Sequence, residues 1–219
     1  MAEWTVVSRP KREDVRRAII EAGVRVFAAE GYNNANIAKI AELAGFTKGA
    51  VYSNFSSKPE LFTAVMTHHL NTERGGIMQV VLTGLNEAES TQQLVENLSL
   101  ELARALPDLA PWQIALDQFR SLAQRDLEIS AVYNELSRTR IATVVEMCAS
   151  HEAARDLLTR DLELFATTLL YLVNILCLEL AARQGALADT AADQSTSDDQ
   201  AVTERNAEIL RRALEGMIR

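Results

Sequence analysis

The 219-residue chain is expected to be all-α, with an N-terminal three-helix domain followed by a larger helical domain and about nine helices in total. Three observations predict this. Apolar residues recur at i, i+3, i+4 and i+7 along several stretches, the period of helices with one buried face. Only nine glycines and four prolines punctuate a chain that is 48% hydrophobic. No strand-like alternation bounded by turn residues is found. The boundary is placed between residues 57 and 58, giving domains 1–57 and 58–219.

The elements follow in order. Ile37, Ile40, Ala41 and Ala44 carry the helical period, and Asn36 stands before them as an N-cap whose side-chain oxygen can accept a free backbone amide. Gly45 follows where a left-handed residue ends a helix. Thr47 then caps a second short helix, Lys48 to Asn54, and Ser57-Lys58-Pro59-Glu60 has the form of a capping box. The next helix runs from Pro59 to about Glu73 and is broken by Gly75-Gly76. Helices are then expected over Thr91–Leu106, ended near Pro107, and over Pro111 to about Gln124. Two more span Leu127–Ser150 and Arg160 to about Gln184. The acidic stretch Asp189–Gln200 has loop composition, and a last helix spans Val202–Ile218.

Residues 33–55 point to function. Two short helices joined through a glycine turn form a helix-turn-helix, whose second helix reads base edges in the major groove. Phe46, Val51 and Phe55, with part of Tyr52, are expected in the core, while Thr47, Lys48, Ser53 and Asn54 face outward. An ordinary helical hairpin would bury more of so short a helix. Charge agrees. Arg9 to Lys58 contains nine basic and five acidic residues, a balance of +4, so the remainder carries −12 of the overall −8. Phosphate contacts dominate affinity for DNA, and an acidic body would be repelled unless the basic region faced the duplex.

The run from Gly31 to Phe62 resembles the DNA-binding domain of the TetR family of transcriptional regulators. The matching positions are Gly31-Tyr32, Ile40-Ala41, Ala44-Gly45, Thr47, Gly49, Tyr52, Phe55 and Lys58 with Leu61; the preceding VRVFAAEGY matches the family's first helix. The resemblance covers roughly residues 11 to 65. It departs at Ala35 and Asn36, where two threonines are often seen. Asn36 can replace a capping and phosphate-contacting hydroxyl; Ala35 cannot. Lys48 and Ala50 are expected to approach base edges, Lys48 donating to guanine and the Ala50 methyl touching a thymine methyl. Gly49 is expected to allow close backbone approach. Thr47, Tyr52, Ser53, Asn54 and Lys58 are expected to bind phosphates and set register.

In the larger domain, the apolar residues of Leu162–Ala182 surround their helix almost completely. Either it is a central core helix, or one face packs on a second copy of the chain. The family resemblance implies the latter: a two-fold homodimer through this helix and the last, reading two half-sites of a palindromic double-stranded DNA operator. It also implies a cavity for a small-molecule effector whose binding releases DNA. Candidate lining residues are Trp112, Phe119, Tyr133, Thr143, Met147, Phe165, Thr168, Tyr171 and Asn174. Asn174 leads, because an amide within LLYLVNILCLEL needs a partner, although a bond to a neighbouring helix or across the dimer meets that need as well. Glu146 and Glu179 either balance a cationic ligand or face solvent.

Other classes are weaker. His68, His69 and His151 have no metal-ligand spacing, so no metal or other cofactor is expected. No phosphate loop, Cys/His pair or carboxylate dyad marks an enzyme. A nonspecific architectural DNA binder would be basic overall. Cys148 and Cys177 are expected to be small core residues in a reducing cytoplasm rather than a disulfide. No signal peptide is seen, and Phe165–Leu178, the most apolar run, is interrupted soon after by Glu179 and Arg183. A regulator without a ligand, or an activator, is the nearest alternative to a ligand-released repressor.

Overall fold

Gly31 interrupts the first helix, and the computed structural model shows why. Its φ is +70°, which kinks α1 (Arg12–Asn34) near its end and sets Tyr32 in the core. The structure describes residues 11–72, 77–86, 88, 90–150, 161–188 and 197–218. Among these residues there are nine helices and no strand. The expectations for Arg9, Glu73, Gly75-Gly76, His151, Arg160 and 189–196 lie outside them.

After α1 come α2 (Ile37–Leu43), α3 (Lys48–Asn54) and α4 (Lys58–Asn71). Their caps form as expected. Asn36 accepts from the Ala38 amide at 2.8 Å, Thr47 from Ala50 at 3.2 Å and Ser57 from Glu60 at 3.2 Å. Glu60 completes the box by reaching back to the Ser56 amide at 2.8 Å. Gly45 has φ +77°, and a Cβ there would meet nothing within 4 Å, so conformation and not space selects glycine.

The larger half contains α5 (Ile77–Asn86), α6 (Thr91–Ala123), α7 (Leu127–Ser150), α8 (Leu162–Ala188) and α9 (Ser197–Ile218). Three expectations are corrected. The helices expected over 91–106 and 111–124 are one, α6, with Pro107 and Pro111 inside it. An interior proline costs about 3 kcal/mol. Leu102, Leu106, Leu109 and Trp112, buried on both sides of the prolines, contribute about 2 kcal/mol each and outweigh that cost. Helix α9 begins at Ser197, so 197–200 belong to it and not to the loop. Helix α5 is absent from the expected elements, although Ile77, Val80, Val81 and Gly84 carry the helical period. Gly84 packs against Leu98 of α6, where a Cβ would make ordinary contact at 3.4 Å.

Two hydrophobic cores result. The first joins α1–α4 to the C-terminal half of α6 and to Leu136 of α7, around the fully buried rings of Phe27, Phe55, Phe62 and Phe119. The second joins α5, the N-terminal half of α6, α7, α8 and α9. Helix α6 therefore runs through both.

Helix α8 is longer than the apolar run seen in the sequence. With 27 residues, and a mean hydropathy of 1.9 over Leu162–Gly185, it is long and apolar enough to cross a membrane by length and composition. It is a packed helix. Phe165, Ala166, Leu169, Leu170, Val173, Leu176 and Cys177 are buried in the second core. Leu164, Tyr171 and Ile175 are exposed by 62%, 57% and 57%. At i, i+7 and i+11 they form an open apolar stripe, so α8 is not covered on every side within one chain. Cys148 and Cys177 are both free and buried in the second core, as expected.

Candidate nucleic-acid interface

Val51 and Phe55 anchor α3 in the first core at 1% exposure each, together with Phe27 and Ile40 at 0%. Phe46 packs on the same cluster. Ala35 is buried, so it serves the core and has no surface to offer a ligand. With this side fixed, Thr47, Lys48, Gly49, Tyr52 and Ser53 are exposed and Ala50 is half-buried. Asn36 is exposed at the start of α2.

The chemistry of this row is specific. Thr47 caps α3 through its oxygen, which leaves its hydroxyl hydrogen available to donate. A capping aspartate would serve the helix equally but would repel a phosphate. The Lys48 ammonium lies 5.8 Å from the centre of the Tyr52 ring and has no carboxylate partner among the described residues. By contrast, Lys39 is paired with Glu30, and Arg17 with Asp14 at 2.7 Å. Gly49 needs no special space: a Cβ there would meet only the Thr47 hydroxyl at 3.7 Å. Packing inside the chain does not require glycine at this position.

Three of the expected phosphate binders are partly occupied. Ser53 donates to the Ala50 carbonyl at 2.9 Å, and the Asn54 amide donates to the same carbonyl at 2.8 Å. The Asn54 side-chain oxygen is buried without a partner. Lys58 is half-buried; it donates to the Asn33 carbonyl at 3.3 Å and lies 4.8 Å from the centre of the Tyr32 ring. Burial lowers its pKa. Lys58 thus ties α4 to the end of α1, an internal duty that the sequence does not reveal. Arg16 does similar work, its guanidinium 4.8 Å from the centre of the Phe55 ring.

The nine residues expected to line one cavity are spread over both cores. Trp112 stacks on His69 at 4.1 Å, and Phe119 packs on Tyr32 and Phe62 in the first core. Met147 and Phe165 belong to the second core. Thr143 donates to the Thr139 carbonyl at 2.8 Å, and Thr168 is half-buried on α8. Only Tyr133, Tyr171 and Asn174 meet, at a cavity of about 30 Å³ where α6, α7 and α8 converge. A wider groove of about 350 Å³ beside Ile141 and Val145 includes none of the nine. Glu146 and Glu179 are exposed. Sequence reasoning misses two residues at or beside the small cavity, Arg140 and Gln113, both buried and polar. Asn174 donates to the Gln113 oxygen at 3.2 Å, so its partner is a neighbouring helix. Arg140 stands on α7 at a buried helical position, a signal legible in sequence only once the buried face of α7 is known.

Comparison with known proteins agrees with this geometry. Residues 19–65 match the model of bacterial regulatory proteins, tetR family. The chain is 33% identical over 89 residues to the HTH-type transcriptional activator FasR of Mycolicibacterium smegmatis, covering 41% of each. It is 44% identical over 63 residues to the HTH-type transcriptional regulator TtgR of Pseudomonas putida, covering 28% of this chain and 30% of the relative. The matched regions thus span less than half the length of these curated relatives. The fold extends the likeness: GusR of Salmonella enterica superposes with a TM-score of 0.56 at 18% identity, covering 98% of this chain and 99% of that one. The α1–α4 region is thus matched in sequence to the tetR family of bacterial regulatory proteins over residues 19–65, and the whole helical arrangement is matched in fold.

Proposed function

We propose that the chain is a sequence-specific transcriptional repressor that binds a palindromic operator as a homodimer and is released by a small-molecule effector. The observation that carries this reading is the outer surface of α3. It presents an exposed capping hydroxyl, a lysine with no carboxylate partner among the described residues, an exposed tyrosine and a glycine that internal packing does not require. Lys48 and Ala50 contact base edges, while Asn36, Thr47, Gly49 and Tyr52 hold the backbone, with Ser53 and Asn54 in support. Lys58 acts first by seating α1 against α4.

The open stripe of Leu164, Tyr171 and Ile175 supports a dimer through α8 and α9, since exposed apolar rows of this kind mark interfaces. Two copies place two readers on successive major grooves, about 34–36 Å apart. Release works by population shift: an effector that prefers the DNA-incompetent arrangement moves α4 and α6, which touch both halves, and changes the reader spacing. The chain works where its DNA is, in the cytoplasm.

Selection of bound duplexes from a random library tests this reading. A two-fold symmetric consensus is expected. Recovery of unrelated duplexes with strongly salt-dependent affinity would instead identify a nonspecific binder.

A further inference from the structure

Among the described residues, Arg140 is a buried cation without a counter-ion. It is 8% exposed, and its one hydrogen bond there runs from Nη2 to the Gln113 oxygen at 3.5 Å. That oxygen also accepts from Asn174 at 3.2 Å, so two donors share it. The Arg140 Nε is buried with no acceptor. A guanidinium offers five donors, and a buried charge left unpaired is a standing cost to the fold. Burial pushes its pKa down to about 10, so it remains charged at neutral pH.

Arg140 lines the cavity of about 30 Å³ at the junction of α6, α7 and α8. The opposite charge on that wall is already taken: Asp117 accepts from Arg120 at 2.5 and 3.1 Å. The lining therefore carries one net positive charge. Asn174 and the hydroxyl-bearing Tyr133 and Tyr171 add polar groups, while Leu116 and Leu170 are apolar. Burial pushes the Tyr133 pKa up, which keeps its hydroxyl a donor. A cation would meet like charge here, and a neutral guest would leave the guanidinium charge uncompensated. A monoanion with a small flat head and an apolar remainder answers every feature.

We propose that this cavity binds an organic carboxylate, its head accepting from Arg140 and its apolar part lying along Leu116 and Leu170. This rests on the reading that the larger domain receives a small-molecule signal, and it names the chemistry of that signal. The size of the cavity suits the head. Leu116 and Asp117 immediately precede Gln118, whose oxygen accepts the Asn33 amide of α1 at 3.0 Å. Occupation of the cavity thus bears on the helix that seats the reader.

The test uses the full-length protein and the matched probes benzoate and benzamide, which differ in charge but hardly in shape. Thermal unfolding and calorimetry at matched ionic strength should show benzoate raising Tm and benzamide leaving it unchanged. Arg140→Met should unfold at a higher temperature than the parent without ligand, because it removes an unpaired buried charge, and should lose the benzoate response. Asn174→Ala should weaken benzoate about tenfold, the worth of one hydrogen bond to a charged group. Equal responses to the two probes, or none to benzoate, would overturn the proposal. If Arg140→Met does not fold, unchanged benzoate affinity in Asn174→Ala and Tyr133→Phe overturns it. Benzoate binding that depends on Arg140 but leaves duplex affinity unaltered supports the site and refutes effector release. Intact selective duplex binding without any benzoate response refutes the site and leaves the DNA reader standing.

Discussion

The side-chain oxygen of Gln118 accepts the backbone amide of Asn33 at 3.0 Å, joining α6 to the last turn of α1 across 85 positions of sequence. Gly31 packs against the same side chain. One position further along α6, Phe119 lies 4.9 Å from Tyr32 and 5.0 Å from Phe62. One position earlier, Asp117 lines the small cavity. A single turn of α6 therefore touches both the cavity and the seat of the reader. Gln118→Ala should cost about 1 kcal/mol of stability, measured by denaturant unfolding, and should weaken any effect of an effector on duplex affinity.

The two left-handed glycines should respond differently to a side chain. At Gly31 a Cβ would lie 2.7 Å from the Gln118 oxygen in addition to the strain of φ +70°. At Gly45 there is strain alone. Gly45→Ala should cost about 1–2 kcal/mol. Gly31→Ala should cost more, because Gln118 must move and release Asn33. Comparable midpoints for the two variants in urea would show that the Gln118 contact is unimportant.

Within the reader, Lys48→Ala should change which bases are preferred, whereas Tyr52→Phe should weaken all sites alike. Thr47→Ala should do two things at once. It removes a cap worth about 1 kcal/mol, and it removes a donor to phosphate. Thr47→Asp keeps the cap and should retain stability while losing duplex binding. Competition among variant duplexes and thermal unfolding separate these effects.

His69 makes stability depend on pH. Stacked on Trp112, its ring has a pKa lowered to about 4 by burial first and by the neighbouring His68 second. An unfolded histidine titrates near 6.5, so between about pH 6.5 and 4 the unfolded chain binds the proton more readily. Stability should fall as the pH drops through this window. His69→Phe keeps the stack and should flatten the slope between about pH 6.5 and 5, above the carboxylate range. An unchanged slope, followed by unfolding at each pH, would place the effect elsewhere.

The open stripe on α8 gives a prediction about assembly. Ile175→Asp places a charge on a side chain that is 57% exposed in the single chain, so folding of the chain should be unharmed. Sedimentation should then report a monomer, and affinity for a two-half-site duplex should fall steeply. A dimer that persists would assign the interface to another surface.

Much of the reader is legible in sequence because it depends on local chemistry. The caps at Asn36, Thr47 and Ser57, the left-handed Gly45 and the apolar period of α2 each act over a turn or so of chain. Helix α6 is harder to read because interior prolines are a local signal, while the burial that overrides them comes from both cores. The cavity is least legible. Trp112, Phe119, Met147 and Phe165 have the composition of a pocket but fill cores, and Arg140, which does line the cavity, looks in sequence like any surface arginine. Lys58 likewise reads as a free cation until α1 and α4 are seen to meet beneath it.

Whether the outer row of α3 reads sequence is decided by one comparison. Affinity of the full-length protein is measured for its selected duplex and for a scrambled duplex of equal length and composition, at one fixed salt concentration. A preference of at least about 10³ for the selected duplex is expected, largely lost in Lys48→Ala. Equal affinities for the two duplexes, in parent and variant alike, would contradict a reading role for this row.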